Sequence, residues 1–398
     1  MKKLLNIEYA CIHANYWMIY GIVSSFASVF LLGRGYSNME IGIILAVANV
    51  VAVVLQPFAA DLADRSKRLS LIGITQIMTI MMMVMTVGLF VLQGKSMALG
   101  VIFVLLIAWH TIIQPLINSL NFKLEESGVH INFGIARSAG SLAYSVLMAI
   151  LGSMVEKYGI IVLPISSEVI MAMMLLSLVL TKKQYDKVKA SNAREGVLKL
   201  RNEDTEEINL MNFIRRNKIF VVANLGVVGL FFSNSVMNNY LMQIVDEVGG
   251  TSEDMGRILF VMAFLEIPTL VCFDFLRKKF TCQTMLKVGA IGFTVKIVMC
   301  HLAQSVGLIL AAQFFQLFAF GLFLPAMVHF IDEIMSKGEA VKGQSVFTMM
   351  VTLTTIFSSL AGGAILDVSG AKMLTLVASI ATAMGAAIIF LTVDRIRK

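Results

Sequence analysis

The chain has 398 residues, 58% of them hydrophobic and only 14% charged, with a mean hydropathy of +0.83. A water-soluble domain carries about 25% charged residues, so a soluble globular protein is excluded: there is more apolar surface than a core of this size can bury. The formal net charge of +7 sits at the ends of apolar runs, which makes it a mark of membrane orientation and excludes a nucleic-acid surface.

A spanning helix needs about 20 mostly apolar residues, whereas a barrel strand alternates over about ten. Continuous runs rich in Met, Leu, Ile and Gly predict an all-α membrane protein with about twelve transmembrane helices. In chain order they fall at 9–32, 40–62, 70–92, 96–121, 133–155, 160–181, 219–245, 254–276, 281–303, 306–335, 343–366 and 373–393. The first run extends too far for a cleaved signal peptide and reads as a retained helix. Cys11, Cys272, Cys282 and Cys300 are scattered with no metal or redox spacing. No phosphate-cradling loop and no histidine cluster is present in the sequence, so no cofactor is expected.

Lysine and arginine set the sides. Lys2, Lys3, Arg65, Lys67, Arg68, Lys123, the stretch 182–218, Arg277 to Lys279, Lys337, Lys342, Arg395, Arg397 and Lys398 share one side. The opposite loops hold little beyond Arg34, Lys95, Lys157 and Lys372. The positive-inside rule assigns the first set, and both termini, to the cytoplasmic face of a cytoplasmic membrane. The segment 182–218 is polar and reads as a linker between six-helix bundles at 1–181 and 219–398.

Those halves repeat. Ser37-Asn38-Met39-Glu40-Ile41-Gly42 opens the second span and Thr251-Ser252-Glu253-Asp254-Met255-Gly256 the eighth, each with a hydroxyl and a carboxylate in capping register. Gly159 closes the fifth span as Gly370 closes the eleventh. The offsets, 214 and 211 residues (40 to 254, 159 to 370), nearly agree. Matched segments fall on the same side, which implies a parallel repeat about an axis along the membrane normal.

An ionised group at bilayer depth is costly and is a functional candidate by default. Arg137 offers five donors in a rigid fork, against the alternative of snorkelling to the near interface. Glu266 stands mid-span in the eighth helix and Lys296 in the ninth. They are either a proton-handling site or an ion pair that holds two helices together. His110, Gln114 and Asn118 in the fourth span, with Asn234, Asn238 and Asn239 in the seventh, are candidate lining of a polar cavity or helix-bridging groups. Glu168 has no assigned role.

The loop Ala60-Asp61-Leu62-Ala63-Asp64-Arg65-Ser66-Lys67-Arg68 resembles the Gly-x-Leu-x-Asp-Arg-x-Gly-Arg signature of the major facilitator superfamily, with Ala60 and Lys67 in place of its glycines. Asn132-Phe133-Gly134-Ile135-Ala136-Arg137-Ser138-Ala139-Gly140-Ser141 is similar to the fifth-span segment of the lactose-permease and phenylpropionate-permease branch, and Pro115-Leu116-Ile117-Asn118 fits the same branch. The resemblance implies a secondary transporter that moves a sugar-like or small organic solute by alternating access, with protons as the coupling partner, as a monomer in the bilayer. It implies gating by Asp64, Arg65 and Arg68, substrate contacts from Arg137, Glu266, Gln313 and Gln316 with a stacking ring at Tyr144, and coupling at Glu266 with Lys296. Asn118 and Ser119 supply no carboxylate to pair with Arg137, and Gln313 and Gln316 stand where the branch has its charged tenth-span cluster. These departures argue against galactoside specificity and leave an uncoupled facilitator or exporter as the alternative. A non-transporting sensor and a membrane enzyme fit less well, since neither an output domain nor a catalytic constellation is present in the sequence.

Overall fold

The computed structural model describes residues 2–65, 70–125, 127–193, 213 and 215–396. The chain divides into two compact units. Unit 1 holds Met1–Tyr36 and Ile44–Asn202; unit 2 holds Ser37–Ile43 and Glu203–Lys398.

Unit 1 is built from α1 (Lys2–Tyr20), a π-helical turn (Gly21–Ser25), α2 (Ala27–Gly33), α3 (Asn38–Arg65), α4 (Leu71–Val91), α5 (Met97–Glu125), α6 (Phe133–Tyr158) and α7 (Val162–Ala193). Helix α1 packs chiefly against α6 and α7. The first dozen residues of the expected linker continue α7 as helix to Ala193; residues 194–212 lie outside the described residues.

Unit 2 contains α8 (Lys218–Asp246), α9 (Ser252–Lys279), α10 (Cys282–Leu302), α11 (Val306–Ala312), a 3₁₀ turn (Gln313–Leu317), α12 (Phe320–Ile334) and α13 (Lys337–Thr392). Its core gathers around Phe231, Phe293, Phe323 and Phe330.

Among the described residues, ten helices are long and apolar enough to cross a membrane, and eleven if the pair Leu4–Ser25 and Ala27–Gly33, bent by 43°, forms one span. One of them, Glu339–Arg395, has 57 residues. At 1.5 Å per residue that is about 85 Å, nearly three hydrocarbon thicknesses. It breaks at Gly370, whose φ of 76° lies where only glycine is at ease. Counted as two spans, this element brings the total to the twelve expected from sequence.

The internal repeat extends to backbone dihedrals. Gly159 and Gly370 have φ/ψ of 80°/178° and 76°/178°. Gly35 (φ 87°) and Gly249 (φ 75°) are offset by 214 residues (35 to 249). Phe26, which ends the π turn, and Tyr240, the non-helical point of α8, share that offset (26 to 240), with φ/ψ of −94°/11° and −128°/23°. The first and seventh spans therefore break at equivalent places.

Helix α3 begins in unit 2 for a local reason. Its first N–H groups, orphaned like those of any helix start, are capped by Asp367. Oδ1 of Asp367 accepts from the Asn38 N–H (3.1 Å) and Oδ2 from the Met39 N–H (2.9 Å). The Asn38 amide adds a bond to Oδ1 at 3.0 Å and accepts from Gln243 at 2.9 Å. A Cβ on Gly363 would collide with the Asn38 carbonyl, and one on Gly42 with that of Ser359, so backbone meets backbone here. Asp367→Ala is expected to cost about 0.5–1 kcal/mol, the low end for loss of a cap because the carboxylate is exposed. A lowered melting temperature in detergent, largely restored by Asp367→Asn, checks it.

Candidate functional site

In unit 1 the groups that sequence singled out converge on one face of α1. Tyr9, His13 and Trp17 recur at four-residue spacing, which stacks them along one side of a helix. That side faces α6, where Gly140 permits close approach: a Cβ there would strike Trp17 and the His13 carbonyl.

Arg137 lies with its guanidinium carbon 3.9 Å from the Trp17 ring centroid and donates to Ser141 Oγ at 2.9 Å. Both contacts hold the planar fork flat against α1. Two turns along α6, the Tyr144 hydroxyl shares a 2.9 Å hydrogen bond with Ser25 in the π turn, and its ring stands 6.2 Å from that of Tyr20. Tyr20 meets Trp17 at 5.3 Å, edge to face. His110, reaching in from α5, stacks on Tyr16 at 4.3 Å and bonds its carbonyl at 3.2 Å.

Arg137, Tyr144 and His110 are thus joined by three aromatic residues that sequence reading passed over: Tyr16, Trp17 and Tyr20. The signal was a run of aromatic rings at spacings of one and three residues in an otherwise aliphatic span. Trp17, Tyr20, Arg137 and Tyr144 are half-buried, and Tyr16 and His110 are buried. A ring-shaped solute with hydroxyls suits such a surface, which offers aromatic faces and edges beside a guanidinium fork. Asn118, half-buried two turns beyond His110, is not part of this cluster.

Unit 2 carries a second constellation. The buried Lys296 ammonium donates to Gln316 Oε1 at 2.5 Å, and Gln316 Nε2 donates to Glu266 Oε1 at 2.7 Å. The candidates Glu266 and Lys296 are therefore connected through an amide. The 3₁₀ turn explains how. Residues three apart eclipse on a 3₁₀ helix, so Gln313 and Gln316 point the same way. They meet Cys300 and Lys296, which are four apart on α10. Gln313 donates to the Ile309 carbonyl at 2.8 Å and to Cys300 Sγ at 3.7 Å. It is buried, and these contacts are separate from the Glu266 relay. Thr269 anchors the turn by donating to the Leu317 carbonyl at 3.0 Å.

Asn238 is half-buried on α8, next to Asn239, which bonds Ser359 Oγ at 2.9 Å. Asp64 and Arg65 end α3, but their side chains, like all of Arg68, lie outside the described residues. Among the described residues no group of three His, Cys, Asp or Glu side chains could hold a metal ion.

A family profile described as the MFS_1 like family matches residues 9–377. This chain belongs to that family. Its relatives are transporters, and so an MFS-type membrane transporter, not an enzyme, is what this sequence encodes. A curated relative, the uncharacterized transporter YwbF of Bacillus subtilis (strain 168), is 23% identical over 337 residues, which cover 83% of this chain and 79% of that one. Two crystal structures of the nucleoside transporter NupG, a point variant and another form, share the fold. Their TM-scores are 0.78 and 0.75 at 12% identity; 98% of this chain is covered in each, with 99% and 98% of theirs.

Proposed function

We propose that this MFS-type transporter takes up a nucleoside-like solute, a flat ring joined to a sugar, together with protons. Both termini face the cytoplasm, a reading that the lysine and arginine distribution supports, and the signature loop with Asp64, Arg65 and Arg68 gates that side. The observation that carries the substrate assignment is the cluster of Trp17, Tyr20 and Tyr144 beside Arg137. Aromatic surfaces take a planar ring, and the guanidinium fork takes hydroxyls or a carbonyl. The shared fold with a nucleoside transporter agrees with this choice, and the uncharged Asn118 and Ser119 on α5 set the site apart from a galactoside site.

The relay in unit 2 supports proton coupling at Glu266. A direct Glu266–Lys296 ion pair would leave a buried ammonium orphaned each time the acid took up a proton. Here Gln316 accepts from Lys296 whatever the state of Glu266, since a neutral carboxyl still accepts from Nε2 through its carbonyl oxygen. The acid can titrate while its bond from Gln316 stays in place. Uncoupled facilitation is the second reading, favoured by the uncharged Gln313 and Gln316 in the tenth span.

Uptake of radiolabelled uridine, adenosine and lactose into proteoliposomes tests both parts. Uridine or adenosine should accumulate above equilibrium only with an acid exterior, and lactose should not enter. Nucleoside uptake that merely equilibrates under the same gradient would select the facilitator. No specific nucleoside uptake would remove the substrate assignment.

A further inference from the structure

His13 stands out among the polar groups that the transport scheme leaves unused. It is 1% exposed, and neither ring nitrogen has a hydrogen-bond partner among the described residues. The rings of Tyr9 and Phe133 meet it edge to face at 4.8 and 5.6 Å. One turn further along α1 stands Trp17, with the Arg137 guanidinium on its face. Buried polar groups without partners are few in native proteins and call for an explanation.

We propose that His13 is a proton-responsive positioning residue: taking up a proton, it places a second cation beside Arg137 and drives the guanidinium off Trp17. The displacement frees both the indole face and the arginine fork. Protonation thereby favours solute binding, and solute binding favours protonation to the same extent. This rests on the cluster being the solute site, and it assigns to unit 1 a proton-linked group distinct from Glu266.

The surrounding charges leave Arg137 as the group in play. Its guanidinium lies on Trp17, one helical turn from His13. On α6, Glu156 and Lys157 lie about five turns beyond Arg137. On α5, His110 is stacked on Tyr16, and Lys123 and Glu125 close the helix. On α7, Glu168 lies near one end and Lys182, Lys183, Tyr185 and Asp186 toward the other. On α1 itself, Glu8 and Tyr9 precede His13 by about a turn.

Trp17 reports the event. The chain has two tryptophans, and Trp109 has an indole N–H without a partner, so Trp109→Phe gives up no hydrogen bond and leaves Trp17 as the only emitter. In that background, Trp17 emission should follow a single-site titration with pH. Adding His13→Phe should flatten it, and adding His13→Lys should hold the acid-form signal at every pH. If His13→Phe does not yield a monodisperse protein, His13→Asn replaces it with the same expectation. An emission indifferent to pH in the parent, or a titration that survives His13→Phe, overturns the proposal. So does a titration that survives Arg137→Gln, because the signal would then be direct quenching of Trp17 by His13. Uridine affinity in the parent should rise as pH falls and be flat in His13→Phe; a rise that persists in His13→Phe also overturns it. If uridine does not bind at all while the emission results hold, the switch stands and the nucleoside assignment fails.

Discussion

Glu266→Gln is expected to abolish uphill, proton-driven uptake while leaving exchange between equal pools measurable. A glutamine there mimics the protonated acid, and its carbonyl still accepts from Gln316 Nε2, so the relay to Lys296 keeps its geometry. Coupling needs a group whose proton affinity differs between states of the cycle, and that difference is what the substitution removes. Gln316→Leu should behave differently. It strips the acceptor from a Lys296 that is only 3% exposed, and breaking a buried charged contact on one side costs about 3–5 kcal/mol. That loss should appear as low expression and a depressed melting temperature. Lys296→Met combined with Gln316→Leu should restore folding, since an apolar pair of similar volume needs no partner. Full gradient-driven accumulation by Glu266→Gln would remove Glu266 as the coupling residue and leave the relay a purely structural bridge.

The relay also marks where sequence reasoning stops. Twelve spans, their charge asymmetry and the repeat were legible because each rests on a pattern of many residues: apolar runs, basic ends, glycines at a fixed offset. Glu266, Lys296 and Gln316 were each singled out as charged or polar groups at bilayer depth. What joins them is the 3₁₀ turn at Gln313–Leu317, and nothing in Gln313-Phe314-Phe315-Gln316-Leu317 distinguishes that turn from a continuing α-helix. In an α-helix, positions three apart diverge by about 60°, whereas on the 3₁₀ turn they eclipse and aim the two glutamines in parallel. The π turn at Gly21–Ser25 was hidden for a similar reason, having no proline to announce it. Trp17 and Tyr20 were passed over because an aromatic ring inside a spanning run has no periodic signature of its own. Their role emerges only once Gly140 lets α6 bring Arg137 and Tyr144 against them.

Arg137→Lys should separate a binding role from a charge-only role. Lysine keeps the positive charge but loses the planar fork that lies on Trp17 and donates to Ser141. A hydrogen bond from a charged donor contributes about 1.5–3 kcal/mol. If the fork moves from Ser141 to the solute on binding, a lysine that cannot make that bond weakens solute binding by roughly tenfold to a hundredfold. Because the fork engages solute before and during the change of access, the expected signature is a raised KM or Kd with little change in maximal rate. Trp17→Leu should act on the same step, since it removes the indole face that the guanidinium covers and the solute ring takes over. The two substitutions share one contact, so their effects should be less than additive. A double mutant no weaker in binding than the worse single mutant places both residues in one site. Strict additivity would assign them to separate tasks, with Trp17 acting in helix packing and Arg137 alone touching solute. Tyr144→Phe calibrates the series: it keeps the ring and removes only the hydroxyl bond to Ser25. It should therefore cost less affinity than either change, and a larger loss would place the hydroxyl itself on the solute.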